Sequence, residues 1–364
     1  MISDIINKIN QLTDECIQNR LVDFLAKLTQ NTHLTPQETQ TLFVIIMLGR
    51  CPDILLSAII TAWRIKGETT DEIASAALVM RHFAKSVVVQ GEHLVDIVGT
   101  GGDGANLFNV SSAASFVAAQ AGANVAKHGS TGVSSKSGAS DLLAALGVNL
   151  QLSADELVQT LDSQNLCFLF APNHHPAMKH AKIVRAMLKM RTIFNILGPL
   201  SNPANVPNTV LGVFEGSLCE HLATVMGSLG SRHVWVVHSD DGLDEISLAA
   251  NTTVAEYKDG KVSTFVLNPE DFGVQKRDLS GLSVASAEES LKMITQALSG
   301  ENCNDVILKA QDMIALNAAA ALYVSGVVDN YQAGVDLAKQ TIVSGKVQQK
   351  MQDFARFTQT FHQR

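Results

Sequence analysis

Leu94-Val95-Asp96-Ile97-Val98-Gly99-Thr100-Gly101-Gly102-Asp103-Gly104 is the stretch that decides the fold, and it runs on through Asn109-Val110-Ser111-Ser112 into an alanine-rich segment. Its first five residues form a short, nearly continuous apolar run, as in a strand buried on both faces of a parallel sheet. Four glycines among the six positions from Gly99 to Gly104 let the backbone turn tightly and bring its N–H groups near an anion. A helix starting behind them adds unpaired amides and a favourable dipole. The loop fits neither the GxGxxG nor the Walker spacing, so taken alone it reads as a phosphate cradle or as a plain strand-to-helix turn.

Outward from that loop, short β-branched runs at 94–98, 124–126, 167–170, 209–214 and 233–238 alternate with helix-like segments. This predicts a mostly parallel sheet covered on both faces. Residues 253–267 read as a β-hairpin turning at Asp259-Gly260. After a capping box at Ser286-Ala287-Glu288-Glu289 the chain reads as helical, with Gly300, Gly326 and Gly345 as stops. Before Gly91 only helices are expected. One or two occupy residues 1–30; another opens at the capping box Thr35-Pro36-Gln37-Glu38 and stops at Gly49; one runs from about Asp53 to Lys66; and one runs from the Thr69–Glu72 box to about Lys85. The fold class is therefore α/β, a small N-terminal helical domain followed by a large α/β domain with a mostly parallel central sheet.

The chain has 364 residues, beyond the ~250–300 at which one core stops growing. With 46% hydrophobic and 17% charged residues it can bury a large core, which excludes disorder. A net charge of −8 with no run of Lys or Arg argues against nucleic acid, so a phosphate-bearing ligand must be met by amides, one or two cations, or a metal. Five scattered cysteines with no CxxC and no zinc spacing predict a reducing compartment. The N-terminus lacks the blocks of a signal peptide, and the apolar stretch 43–63 is broken by Arg50, Pro52 and Asp53. A soluble cytoplasmic protein with no membrane partner is the expectation.

Three further constellations carry chemistry. Strand 124–126 is expected to end at Lys127-His128-Gly129-Ser130-Thr131-Gly132, followed by a Ser/Gly loop through Ser137, Gly138 and Ser140 to Asp141. The carboxyl ends of adjacent strands in a doubly wound sheet share one crevice, so both loops would face one ligand. Lys127 then offers a charge to a pyrophosphate or is a solvated loop lysine, and His128 is a site residue or a structural histidine. Asp240, Asp241, Asp244 and Glu245 crowd four carboxylates into six positions. Such charges hold a divalent cation or are solvated; Asp244 and Glu245 suit magnesium, Asp240 and Asp241 suit solvent. Finally, Asn173-His174-His175-Pro176 precedes Lys179, Lys182, Arg185 and Lys189. The three lysines read as a solvated cationic face, whereas the planar fork of Arg185 can receive a substrate carboxylate.

In order, the motifs DIVGTGGDG, FNVSS, KHG, SSKSG, FAPNHHPAMKHA, VR, RTIFNILGPLSNPA, DGLDEIS and LNAAAALYVSG resemble the anthranilate phosphoribosyltransferases, from about residue 33 to 350. The resemblance implies a helical domain of residues 1–90 to which segment 174–200 returns, an α/β domain of residues 91–173 and 201–364, and a homodimer formed through the helical domain. It implies transfer of the phosphoribosyl group of 5-phosphoribosyl-1-pyrophosphate to the amine of anthranilate, the second step of tryptophan biosynthesis. The donor would lie along Gly99, Gly102, Asp103, Asn109, Ser111, Ser112, Lys127 and Ser140, with two magnesium ions, one touched by Ser111 and one held by Asp244 and Glu245. Anthranilate would meet Gly99, His128, Ser130, His175, Arg185, Gly198 and Pro199, and Lys127 and Arg185 would be the catalytic residues. One departure stands out: the family usually reads Lys-His-Gly-Asn-Arg where this chain has Ser130-Thr131. The shorter hydroxyl predicts an acceptor contact weaker by about 0.5–1.5 kcal/mol. Two alternatives are a pyrimidine nucleoside phosphorylase, whose phosphate loop reads KHSTGG-like, and a non-catalytic nucleic-acid-binding relative, against which the charge and the acidic pair argue.

Overall fold

The computed structural model describes every residue except Met1, Asp103, 133–135, 302–303 and Arg364, and omits the side chains of 362 and 363. The chain divides into two units, residues 1–86 with 172–203 and residues 87–171 with 204–364. Val87 is buried with Leu94, Ala126 and Cys167 of the sheet, so the first crossing falls there, ahead of Gly91.

In the first unit the chain forms helices Ile2–Asn10, Asp14–Thr29, Pro36–Met47, Asp53–Lys66 and Thr70–Phe83. Thr35 and Thr69 each accept from the amide three residues on, while Glu38 and Glu72 reach back to the cap amides, so both helices begin with their orphan donors satisfied. Thr70–Phe83 ends two residues before Lys85, whose amide donates to the His174 carbonyl. The returning segment adds helices Lys179–Leu188 and Ile193–Leu197, and Phe194 packs on Phe43 at 5.6 Å between ring centroids. Glu72 is fully buried and accepts from Lys66 Nζ (2.9 Å), Trp63 Nε1 (3.0 Å) and the amides of Leu34 (2.8 Å) and Thr69 (2.9 Å). Burial pushes its carboxyl up, but these donors outweigh that and hold it below the usual carboxylate range.

The second unit is built on seven strands: β1 Leu94–Gly99, β2 Asn124–Gly129, β3 Leu166–Phe170, β4 Asn208–Gly212, β5 His233–Ser239, β6 Thr252–Lys258 and β7 Lys261–Leu267. Their order is β3-β2-β1-β4-β5-β6-β7; β1 to β5 run parallel and the β6–β7 hairpin is antiparallel. Asp259 and Gly260 both take positive φ (51° and 78°) at the hairpin turn, as two-residue turns between right-twisted strands require. The period of two shows in β1: Val95 and Ile97 join the core under helices Val110–Gln120 and Asp305–Val324, while Leu94 joins Leu157 and Leu161 of helix Ala154–Gln164 on the other face. Helix Asp305–Val324 is long and apolar enough to cross a membrane, yet 78% of its most apolar window is buried inside this unit as a core helix.

Three local expectations are corrected. β2 runs on to Gly129, because Lys127 and His128 pair in register with Phe168 and Leu169 of β3. β4 stops at Gly212. At Ser286 the serine caps the Glu289 amide, but the Glu289 carboxylate accepts from the Ala285 N–H, one residue earlier than a capping box would have it.

Candidate active site

The glycine loop leaves β1 at Gly99 and lies against Asp244. A Cβ on Gly99 would stand 2.5 Å from Asp244 Oδ2 and would have to displace that carboxylate, whereas one on Gly212, at the end of β4, would stand 1.6 Å from the Asp244 carbonyl, so backbone excludes a side chain there. Gly101 donates its amide to Asp244 Oδ2 at 2.6 Å, and Gly101, Gly102 and Gly104 all take left-handed φ (64°, 86° and 77°) that glycine alone adopts freely. Asp103 falls outside the described residues. Asp244 is buried and Glu245 half-buried, whereas Asp240 and Asp241 are exposed, and Asp241 accepts from the Ser247 hydroxyl at 2.6 Å.

Lys127 is no solvated loop lysine. It sits within β2, 3% exposed, and its Nζ donates to the Ile97 carbonyl and to Ser111 Oγ (3.3 Å). Burial lowers its pKa, opposed by the charges of Asp96 and Glu245. The buried His128 donates its amide to Asp96 Oδ1 at 3.1 Å. The next loop is closed by Asp141, whose Oδ2 accepts from the amides of Gly132 (3.0 Å) and Gly138 (2.8 Å), and the Ser140 amide donates to the Ser130 carbonyl. A Cβ on Gly138 would stand 2.1 Å from the Gly132 nitrogen.

Asn109 precedes helix Val110–Gln120 without capping it. Its Oδ1 accepts from Ser290 Oγ (2.7 Å) and Ser137 Oγ (2.8 Å), and its Nδ2 donates to the Ser137 carbonyl (3.1 Å). The hydroxyls of Ser112 and Ser140 are buried with no hydrogen-bond partner among the described residues. Oxygen donors of this kind, one or two carboxylates with a hydroxyl, suit magnesium, which completes its shell with water and substrate phosphates. Among the described residues no three His, Cys, Asp or Glu side chains cluster as a metal cage of their own.

In the first unit, burial, followed by the neighbouring His174, pushes His175 down to about 4, so its ring is neutral near pH 7. The Arg185 guanidinium lies over the Phe194 ring, 5.4 Å from its centroid, and burial lowers its pKa. Lys179, Lys182 and Lys189 lie on the outer side of the returning segment, each at least partly open to solvent, as a solvated face requires. Pro199 is buried, and a Cβ on Gly198 would meet nothing within 4 Å.

The predicted residues thus fall into two sets. Gly99, Gly102, Asn109, Ser111, Ser112, Lys127, His128, Ser130, Ser140, Asp244 and Glu245 lie in the α/β unit, and His175, Arg185, Gly198 and Pro199 in the helical one. Sequence reading missed Asp96, Asp141 and Ser290. A carboxylate inside an apolar strand signals the first, and an acid three residues after Gly138 signals the second. Nothing local signals Ser290, which is 181 residues from Asn109.

Residues 91–348 match the family described as "Glycosyl transferase family, a/b domain", and residues 22–84 its "helical bundle domain". The anthranilate phosphoribosyltransferase of Psychrobacter sp. (strain PRwf-1) is 53% identical over 358 residues, 96% of this chain and 97% of the relative. The crystal structure of the Thermus thermophilus enzyme of that name superposes with a TM-score of 0.86 at 35% identity, covering 93% of this chain and 99% of that one. The Saccharomyces cerevisiae enzyme in complex with PRPP and Mg gives 0.83 at 29%, covering 93% and 98%. Neither the nucleoside phosphorylase reading nor the nucleic-acid-binding one matches relatives of this kind. With its glycine loops, buried lysine and acidic pair in one unit and its arginine in the other, the chain belongs to the anthranilate phosphoribosyltransferase family of glycosyl transferases.

Proposed function

We propose that the α/β unit binds 5-phosphoribosyl-1-pyrophosphate through the open amides and orphan hydroxyls around the start of helix Val110–Gln120, and that the enzyme passes its phosphoribosyl group to the amine of anthranilate. The observation that carries this reading is the pair of buried hydroxyls, Ser112 Oγ and Ser140 Oγ, that have no partner among the described residues, in the unit that also buries the Lys127 ammonium. The charges of Asp96 and Glu245 already act on the buried Lys127 ammonium, and net charge −8 leaves no general attraction for phosphate, so the attraction must be local.

The aromatic amine is already a neutral nucleophile, so little acid–base help is needed. The C–O bond to pyrophosphate breaks as the C–N bond forms, and the surplus proton of the amine leaves to solvent. The protein contributes positioning and charge neutralisation. Gly99, Gly102, Asp103, Asn109, Ser111, Ser112, Lys127 and Ser140 hold the donor. Asp244 and Glu245 would hold one magnesium ion and Ser111 would touch a second; when bound, the metal neutralises the departing pyrophosphate. In the helical unit Arg185 would receive the anthranilate carboxylate, with His175, Gly198 and Pro199 as further acceptor residues and neutral His175 adding no competing charge; in the α/β unit the family resemblance implies Gly99, His128 and Ser130 as acceptor residues.

The same reading places the enzyme in the cytoplasm as a homodimer. Cys16, Cys51, Cys167 and Cys219 are all free thiols, in keeping with a reducing compartment. Ile54 and Ile65, three helical turns apart on one helix, are 85% and 82% exposed, and Ile183 and Met187 are also exposed, an apolar surface suited to a second copy. Sedimentation equilibrium giving the mass of one chain would remove the dimer. The transfer itself is tested by the loss of anthranilate fluorescence with donor and magnesium. Arg185→Ala should raise the anthranilate KM tenfold or more, as expected on the order of one lost bidentate ion pair, and should leave the donor KM nearly unchanged; the reverse would assign Arg185 to the phosphates.

A further inference from the structure

We infer that Ser290 is a positioning residue for the phosphoribosyl donor: it holds Asn109 away from the helix that Asn109 precedes, and so keeps that helix's first amides open to a donor phosphate. This rests on the donor site proposed above. An asparagine in the N-cap position ordinarily turns its Oδ1 onto the amide of the second or third helical residue. Asn109 sits immediately before helix Val110–Gln120 and makes no such bond.

The reason lies in a different part of the chain. Ser290 is fully buried within helix Ala287–Ala297, where a serine would commonly bond back to its own helix. Instead its hydroxyl accepts from the Asn109 N–H at 2.9 Å and donates to Asn109 Oδ1 at 2.7 Å. Ser137 Oγ donates to the same Oδ1 at 2.8 Å, and Asn109 Nδ2 donates to the Ser137 carbonyl at 3.1 Å, which fixes the orientation of the amide, since a carbonyl only accepts. Both lone pairs of Oδ1 are therefore engaged away from the helix. The amides of Ser111 and Ser112 are left without a partner among the described residues, as is Ser112 Oγ. Uncapped amides at the positive end of the helix dipole form an anion site; a side-chain cap would close it.

A double-mutant cycle on the full-length enzyme tests this. Ser290→Ala frees Oδ1 and should raise the donor KM, and the donor Kd by calorimetry, about three- to tenfold, the size of one or two modest hydrogen bonds. The anthranilate KM should stay within about twofold on the same scale. Asn109→Ala should raise the donor KM in its own right, and adding Ser290→Ala to it should change nothing further, because Ser290 acts only through Asn109. Should Asn109→Ala weaken the donor while Ser290→Ala does not, or should the two effects add independently, the inference falls and the donor site stands. Should Asn109→Ala leave the donor untouched, the donor-site reading falls and takes this inference with it.

Discussion

At Thr69 the chain enters helix Thr70–Phe83 with its donors closed off: Thr69 accepts from the Glu72 amide, and Glu72 accepts from the Thr69 amide. At Asn109 the chain enters helix Val110–Gln120 with an equally good capping residue, yet that residue is engaged elsewhere and the amides of Ser111 and Ser112 have no partner among the described residues. The two starts differ in what the surroundings do with the cap. In the helical unit the cap completes a buried network that stabilises the fold; in the α/β unit it is diverted, which gives up local stability and, in the donor site proposed above, serves binding. Perturbing the closed start should therefore cost stability, and perturbing the open one should cost turnover.

The largest effect is expected at the closed start. Glu72→Ala takes from the Lys66 ammonium, 1% exposed, the carboxylate it is bonded to and removes the acceptor for Trp63 and two amides. Breaking a buried pair in this way should cost about 3–5 kcal/mol in denaturant unfolding. The Glu72 carboxyl is held below its ordinary range in the folded state, so the stability it contributes is present above the unfolded-state pKa and is lost as pH falls through the folded one. Glu72→Gln should flatten that acid limb, and an unaltered limb would show that other carboxylates set it.

Next in size is the glycine loop. Asp244→Ala with Glu245→Ala should cut turnover on the order of a hundredfold and raise the magnesium needed for half-maximal rate. Magnesium dependence identical to the parent would take the metal role away from this pair. Since Asp244 also accepts from the Gly101 amide, donor affinity should weaken in parallel.

The smallest is Thr35→Ala, which opens a capping box at the start of helix Pro36–Met47 and should cost about 1 kcal/mol of stability with kcat and both KM values unchanged. A change in KM there would dissolve the contrast between the two kinds of helix start.

Much of this was legible in the chain itself. The boxes at Thr35 and Thr69 and the turn at Asp259-Gly260 are local, formed by residues two or three positions apart, and their residue types have few other uses. The sheet followed from apolar runs separated by helices, and its glycine loop from four glycines in six positions. The character of Lys127 was not legible. Read from β-branched residues alone β2 ends at Ala126, but pairing with β3 carries it to Gly129 and takes Lys127 from the expected loop into the sheet. Nor does a local pattern explain why Gly212 must be glycine; that depends on Asp244 approaching from the far side of β5 in sequence.

Sequence by itself determined where helices and strands begin, which residues are too small or too charged to be ordinary core, and, through its ordered motifs, the family. Those features rest on the intrinsic preferences of a residue and its near neighbours, which travel with the chain wherever it goes. Only the tertiary structure decided that Lys127 is buried, that Asp244 closes on the glycine loop, and that Ser290 takes up Asn109 Oδ1 in place of the helix. Each depends on a hydrogen bond or a contact between groups far apart in the chain, brought to within about 3 Å only when the core has packed.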